Sequence, residues 1–319
     1  MIIGIIAVAL IVLAILTCLY AFNVCFYSSN KTVQDPYGPV NGEQAEQLKE
    51  QIYENSRRME EVEFEGVTIQ SFDGLKLFGR YYHQKDGAPV QILFHGYRSM
   101  ALRDCAGGFH MARKLGFNVL VVDQRAHGNS EGHVITLGIF ERRDCLSWIR
   151  YINKRFGKEI PIILSGTSMG AATVVMATEL PMPDNVLCVI ADSPYSSPEE
   201  ILKQFCKYRY IPGWLAYPCI RIAARYLGGF NLEQATAVAA VGVSPIPILL
   251  LHGDDDCIVP CTMSAKIHEF SNDCTKLKLF MGADHCLAYL VENELYEATV
   301  LDFLKQFDVL KEYISTAEV

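Results

Sequence analysis

The residues best able to do chemistry in this chain lie in Gly166-Thr167-Ser168-Met169-Gly170 and in two acid- and histidine-bearing stretches far downstream. A serine hydroxyl is a weak nucleophile near neutral pH. It needs a base to take its proton, and the base needs a carboxylate to fix its tautomer and stabilise the imidazolium that forms. Where such a serine sits on a strand-to-helix turn, the acid and then the base follow it on loops after later strands. His285, after Phe280-Met281-Gly282-Ala283-Asp284, meets that order. His95 and His127 precede the serine, and His252 leaves too little chain for an acid-bearing strand before it, so core or capping roles are expected for all three. Among Asp254, Asp255 and Asp256 the third is best placed, because Gly253 permits a tight turn and a residue three positions on can point back across a sheet edge. Asp254 and Asp255 then read as turn and N-cap residues, and Asp192 is the alternative acid.

Attack by the serine builds charge on a carbonyl oxygen, which two preorganised N–H groups must meet. The Met169 amide, at the start of a helix, supplies one, and Tyr97, after His95-Gly96, is placed to supply the other. The chemistry these residues support is acyl transfer through an acyl-serine.

A five-residue pattern recurs by chance, and its bland reading is an ordinary turn with Ser168 as N-cap. The elements around it decide. Ile160 to Leu164 is an apolar, β-branched run that reads as a strand buried on both faces, and Ala171 to Leu180 reads as a helix. Upstream, Val67 to Phe72 and Leu75 to Tyr82 flank Asp73-Gly74 as a hairpin would. Strands follow at 91–94, 118–122, 186–191, 248–251 and 276–280, with helices at 103–115, 140–156 and 292–310 between or after them. That alternation predicts an α/β fold with a doubly wound, mostly parallel sheet. The rhythm breaks over 194–243, where aromatic, irregular sequence and a helix at 218–227 suggest a small helical cap inserted at the active-site edge. Its aromatics Phe205, Tyr208, Tyr210 and Trp214 are the candidate contacts for an apolar acyl group.

Ile2 to Phe22 carries no charged residue and is long enough to cross a hydrocarbon core of ~30 Å. Met1-Ile2-Ile3 lacks the basic start of a cleaved signal peptide, so a single uncleaved transmembrane anchor is expected. The chain then divides into an anchor (1–27), a juxtamembrane linker and solvated helix (28–61) and a catalytic domain (62–319). Lys31 after the span, and cysteines with no disulfide spacing, lean toward a cytoplasmic catalytic domain.

The net charge of −8, with no Lys/Arg cluster, argues against a nucleic-acid surface. No set of side chains has metal-ligand spacing, Cys257 and Cys261 included, and no glycine-rich phosphate loop follows a strand, so neither metal nor cofactor is expected.

With Leu93-Phe94-His95-Gly96, Asp123-Gln124-Arg125-Ala126-His127-Gly128, Gly166 to Ala172, Ala191-Asp192-Ser193-Pro194-Tyr195, His252-Gly253 to Asp256, Val259-Pro260 and Ala283-Asp284-His285 in order, the chain resembles serine hydrolases of the α/β-hydrolase superfamily. It is similar within them to a bacterial membrane-anchored group related to depalmitoylase-type and serine aminopeptidase-like lipases. The resemblance spans nearly all of 62–310 and implies Ser168 as nucleophile, Asp256 as acid, His285 as base, and Tyr97 and Met169 at the oxyanion. The resemblance says little about substrate; the aromatic cap and the membrane tether point to cleavage of carboxylic esters, thioesters or acyl lipids, with an acyl-ester substrate and the membrane as partners. A peptidase or amidase using the same three residues, and a non-catalytic membrane-tethered interaction protein, are the alternatives.

Overall fold

The computed structural model describes residues 1–29, 35–40 and 42–317. Lys31 and part of the juxtamembrane linker lie outside the described residues.

One eight-stranded sheet carries the molecule, formed by β1 (Glu65–Gln70), β2 (Lys76–Tyr82), β3 (Val90–Phe94), β4 (Asn118–Val122), β5 (Ile162–Thr167), β6 (Val186–Asp192), β7 (Ile248–Gly253) and β8 (Thr275–Phe280). The spatial order is β1-β2-β4-β3-β5-β6-β7-β8. β1 and β2 pair antiparallel, β2 joins β4 antiparallel, and every later pairing is parallel. β3, β4 and β7 are buried along their whole length, as suits mostly apolar strands covered on both faces, and the buried Gln91 of β3 is satisfied by donating to Ser165 Oγ at 2.7 Å. The strand expectations hold to within two residues at every end but one: β5 runs three residues further than expected, to Thr167.

The helices are α1 (Ile2–Cys25), α2 (Glu43–Gln47), α3 (Lys49–Glu60), α4 (Ala101–Asp104), α5 (Ala106–Lys114), α6 (Glu141–Phe156) and α7 (Met169–Ala177). They continue as α8 (Pro198–Tyr208), α9 (Gly213–Tyr226), α10 (Ala237–Val243), α11 (Thr262–Glu269), α12 (Ala288–Val291), α13 (Asn293–Leu304) and α14 (Lys311–Ala317). α7 is buried at every residue, being made of small and apolar side chains pressed between β5, β6, α6 and α10.

Three expectations change. The inserted stretch is a pair of packed helices, α8 and α9, whereas α10 lies on α7 as an ordinary sheet-covering helix. α9 begins at Gly213, five residues before the proline taken as its start, so Pro218 sits inside the helix. The expected solvated helix is two helices, α2 and α3, and it is covered on one side: Ala45, Ser56 and Met59 are buried, and α3 packs on α4 and α5.

α1 is apolar all round, buries none of its residues, and by length and composition can span a membrane. Its C-terminal end is built into the fold. Phe26, just past the helix, is fully buried with its ring edge-on to Phe230 at 5.2 Å, and Ser28 N–H donates to His133 O at 2.8 Å.

Candidate active site

Ser168 sits where β5 ends and α7 begins, with φ 55° and ψ −114°, a conformation L-residues rarely adopt. Two glycines make the turn possible. A Cβ on Gly166 would stand 2.3 Å from the Gly170 backbone, and one on Gly170 would stand 2.1 Å from the Phe94 carbonyl oxygen. The backbone therefore folds tightly on itself and pushes the Ser168 hydroxyl up above the sheet edge.

At that edge the Ser168 Oγ lies 2.9 Å from His285 Nε2, and His285 Nδ1 lies 2.6 Å from Asp256 Oδ2. Asp256 is fixed in turn: its Oδ1 accepts the Ile258 and Val259 amides at 2.9 and 2.7 Å. Burial raises the cost of charging Asp256, but hydrogen bonds from His252 and His285 outweigh it and hold the pKa down at about 2. For His285, burial disfavours the imidazolium, yet the Asp256 carboxylate outweighs burial and raises the pKa above the usual histidine value. The pair can thus hold a proton on Nδ1 and accept another on Nε2.

The alternative acid, Asp192, is buried at the end of β6, but its carboxylate accepts the Ser193 and Tyr296 hydroxyls at 3.0 Å each and makes no hydrogen bond to His285. Burial pushes its pKa up, the opposite of what a permanently charged partner needs.

The Tyr97 and Met169 amides find no hydrogen-bond acceptor among the described residues. The loop bearing Tyr97 is held from several sides. Asp104 accepts Gly96 N–H at 2.7 Å and Ser99 Oγ–H at 2.6 Å, and His127 Nε2 accepts Arg98 N–H at 3.0 Å. Burial, and then the neighbouring His95, lower the His127 pKa to about 3, which leaves its ring neutral and able to accept. His95 Nε2 lies 3.0 Å from Gln124 N and accepts its N–H. These two histidines are scaffold, as expected.

Asp104, His252 and Gln44 are the supporting residues that sequence reasoning did not single out for the site. Gln44 of α2 donates to Gly282 O and accepts Asp284 N–H, both at 2.7 Å, so it pins the loop that carries His285. Gln44 acts on a loop far away in sequence, whereas Asp104 and His252 act on residues four to eight positions away, through a chain path that only the folded loops reveal.

A cavity of about 320 Å³ opens beside Ser168. Its lining passes from Tyr97, Phe205, Ser168 and His285 to the buried Leu93, Leu115 and Leu304. Of the four cap aromatics expected to touch substrate, Phe205 lines this cavity. Tyr208, Tyr210 and Trp214 do not line it; they stand exposed where α8 gives way to the 209–212 turn and α9. Three carboxylates reach the lining, and all are engaged: Asp104 and Asp192 as above, Asp284 with the Cys257 and His285 amides.

A mostly parallel sheet with two antiparallel leading strands, and a serine on a strained turn after its fifth strand, make up the α/β-hydrolase fold, and this is the fold of the chain. Residues 88–217 match the profile of the family described as Serine aminopeptidase, S33. The chain is similar to the Bacillus subtilis protein YqkD, at 25% identity over 79% of this chain and 82% of that one. It is also similar to the lysophosphatidylserine lipase ABHD12 of Danio rerio, at 26% identity over 57% of this chain and 47% of that one. Among solved structures, the Pyrococcus furiosus esterase Pf2001 superposes with a TM-score of 0.63 at 22% identity, covering 86% of this chain and 99% of the esterase.

Proposed function

We propose that this protein is a membrane-anchored serine hydrolase that cleaves carboxylic esters, thioesters or acyl lipids through an acyl-serine on Ser168. The observation that carries the reading is the unbroken relay from Ser168 Oγ through His285 to Asp256, at 2.9 and 2.6 Å. In it, Oγ attacks the substrate carbonyl carbon while its proton passes to His285 Nε2. The carbonyl oxygen, now an anion, takes the Tyr97 and Met169 N–H groups, each donor contributing about 3 kcal/mol. Collapse expels the alcohol or thiol, which leaves with the proton from Nε2. Water then repeats the sequence on the acyl-serine and releases the acid. Asp256 stays ionised throughout and supports the imidazolium.

The apolar depth of the cavity favours an acyl chain as the bound part of the substrate. An aminopeptidase needs a free carboxylate for the substrate ammonium, and the three that line this cavity are already hydrogen-bonded. The description of the matched family keeps the amide reading as the second one. Phe205 stands as the cap contact to the acyl group. α1 serves as the anchor, because its terminus is part of the fold rather than a leader to be removed, and the nine free cysteines beyond α1 favour the reducing, cytoplasmic side.

A fluorophosphonate probe should label the full chain in detergent and fail on Ser168→Ala. Turnover of p-nitrophenyl acyl esters, compared with aminoacyl-nitroanilides, separates esterase from amidase. Folded protein that ignores both the probe and every substrate returns the chain to the non-catalytic alternative.

A further inference from the structure

We propose that the exposed edge of the α8–α9 pair, together with α1, is a seat on an anionic lipid bilayer, and that the Ser168 cavity opens at that seat to take its substrate from the leaflet. The inference rests on the hydrolase and anchor readings above and adds the surface, its lipid partner and the route of the substrate.

The position follows from helix geometry. α9 packs along the C-terminal part of α1, and the Cys18 thiol meets that of Cys219. Cys18 lies one turn before Phe22, roughly 6 Å at helical rise. If Ile2 to Phe22 fill the hydrocarbon, Cys18 and Cys219 stand at or just inside its boundary. The side chains around Cys219 suit that depth. Tyr210 is 96% exposed, Tyr226 81%, Trp214 78% and Leu215 58%, a concentration of bare apolar and aromatic surface that water does not favour.

Charge points the same way. The chain is acidic overall, yet 201–230 holds Lys203, Lys207, Arg209, Arg221 and Arg225 and not one acid. Among the described residues, Lys207, Arg209 and Arg225 have no carboxylate partner. Aromatic rings at headgroup level, flanked by unpaired cations, are the composition that holds a surface to an anionic leaflet.

The site is coupled to this edge. Tyr97 lines the cavity, its hydroxyl donates to Cys25 O at 2.9 Å at the end of α1, and its ring lies 6.1 Å from that of Phe205 on α8. The anchor's end, the cap and the cavity mouth therefore meet in one place, so an acyl chain leaving the leaflet there has no aqueous gap to cross.

The test uses the full chain in nanodiscs with anionic lipid, with plain or brominated acyl chains. Trp148 is buried and Trp214 exposed, and the chain has no other tryptophan. Brominated lipid should quench wild-type emission and leave the Trp214→Phe chain unquenched; equal emission of wild type in both lipids overturns the seat. Combined Lys207→Glu, Arg209→Glu and Arg225→Glu should slow hydrolysis of a bilayer-resident long-chain monoacyl ester several-fold and leave a soluble short-chain p-nitrophenyl ester unaffected. No change with the bilayer ester also overturns it, as does a dimer in which Trp214 is shielded from brominated lipid. Absence of ester hydrolysis in wild type defeats the hydrolase reading instead, and the quenching still decides the seat.

Discussion

His252 Nε2 lies 3.0 Å from Asp256 Oδ2, the same oxygen that holds His285 Nδ1 at 2.6 Å. His252 is itself fully buried, held by Ser264 Oγ at 2.6 Å and Val259 O at 2.8 Å. It touches no substrate and acts by keeping the carboxylate turned toward His285. A hydrogen bond to a charged group is worth about 1.5–3 kcal/mol. His252→Ala should therefore lower kcat on the order of tenfold to a hundredfold with KM little changed. A purely structural loss would instead show as lower thermal stability with normal kcat per folded molecule.

The two pKa shifts set the pH dependence. The base must be neutral to accept the Ser168 proton, so activity falls as pH drops through the His285 pKa. Because Asp256 raises that pKa, the acid limb of kcat/KM should lie above the ordinary imidazole value. Asp256→Asn removes the negative charge, and the limb should move to lower pH while the maximum rate falls by about 10⁴. An acid limb that stays in place in the variant would assign the titration to another group.

Strain at the nucleophile gives a stability test independent of activity. Ser168 holds a positive φ that turns its hydroxyl toward His285, at a cost of order 1–3 kcal/mol. Ser168→Gly and Ser168→Ala both lose the bond to His285, but glycine alone relaxes the backbone. The glycine variant should be the more stable of the two by about 1 kcal/mol in denaturant unfolding, and both should be inert to fluorophosphonate. Gly170→Ala should go the other way, costing about 3 kcal/mol or more, since its Cβ would collide with the Phe94 carbonyl, which cannot yield.

Much of this arrangement can be read from local sequence, for a physical reason. Strands buried on both faces must be mostly apolar, and a tight turn around the serine must have glycine where backbone meets backbone, so β3 to β7 and Gly166-x-Ser168-x-Gly170 are visible one segment at a time. What stays hidden depends on distant partners. Nothing beside Gln44 in sequence shows that it reaches Gly282 and Asp284, and nothing beside Tyr97 shows that its hydroxyl reaches the end of α1. The cap aromatics mislead because aromatic character is the same in a pocket and at an interface. Only position shows that Phe205 turns inward while Tyr210 and Trp214 turn out.

The end of α1 should behave as core, unlike the rest of that helix. Phe26 is fully buried against Phe230, and Arg98 donates to the carbonyl oxygens of Asn23, Val24 and Tyr27 at 2.9–3.2 Å, so the helix terminus is clamped to the loop that carries the Tyr97 amide. Phe26→Ala should cost about 3–5 kcal/mol of domain stability in detergent, as a deep aromatic truncation does. Leu13→Ala, at a position 60% exposed, should cost next to nothing in the same measurement. Arg98→Gln should leave most of the stability intact but lower kcat, because the loop that presents the Tyr97 amide loses its grip on the helix end. It follows that a fragment beginning at residue 28 discards part of the active-site support, and should be both less stable and slower than the full chain on the same soluble ester. Equal stability and equal kcat in that fragment would reduce α1 to a tether.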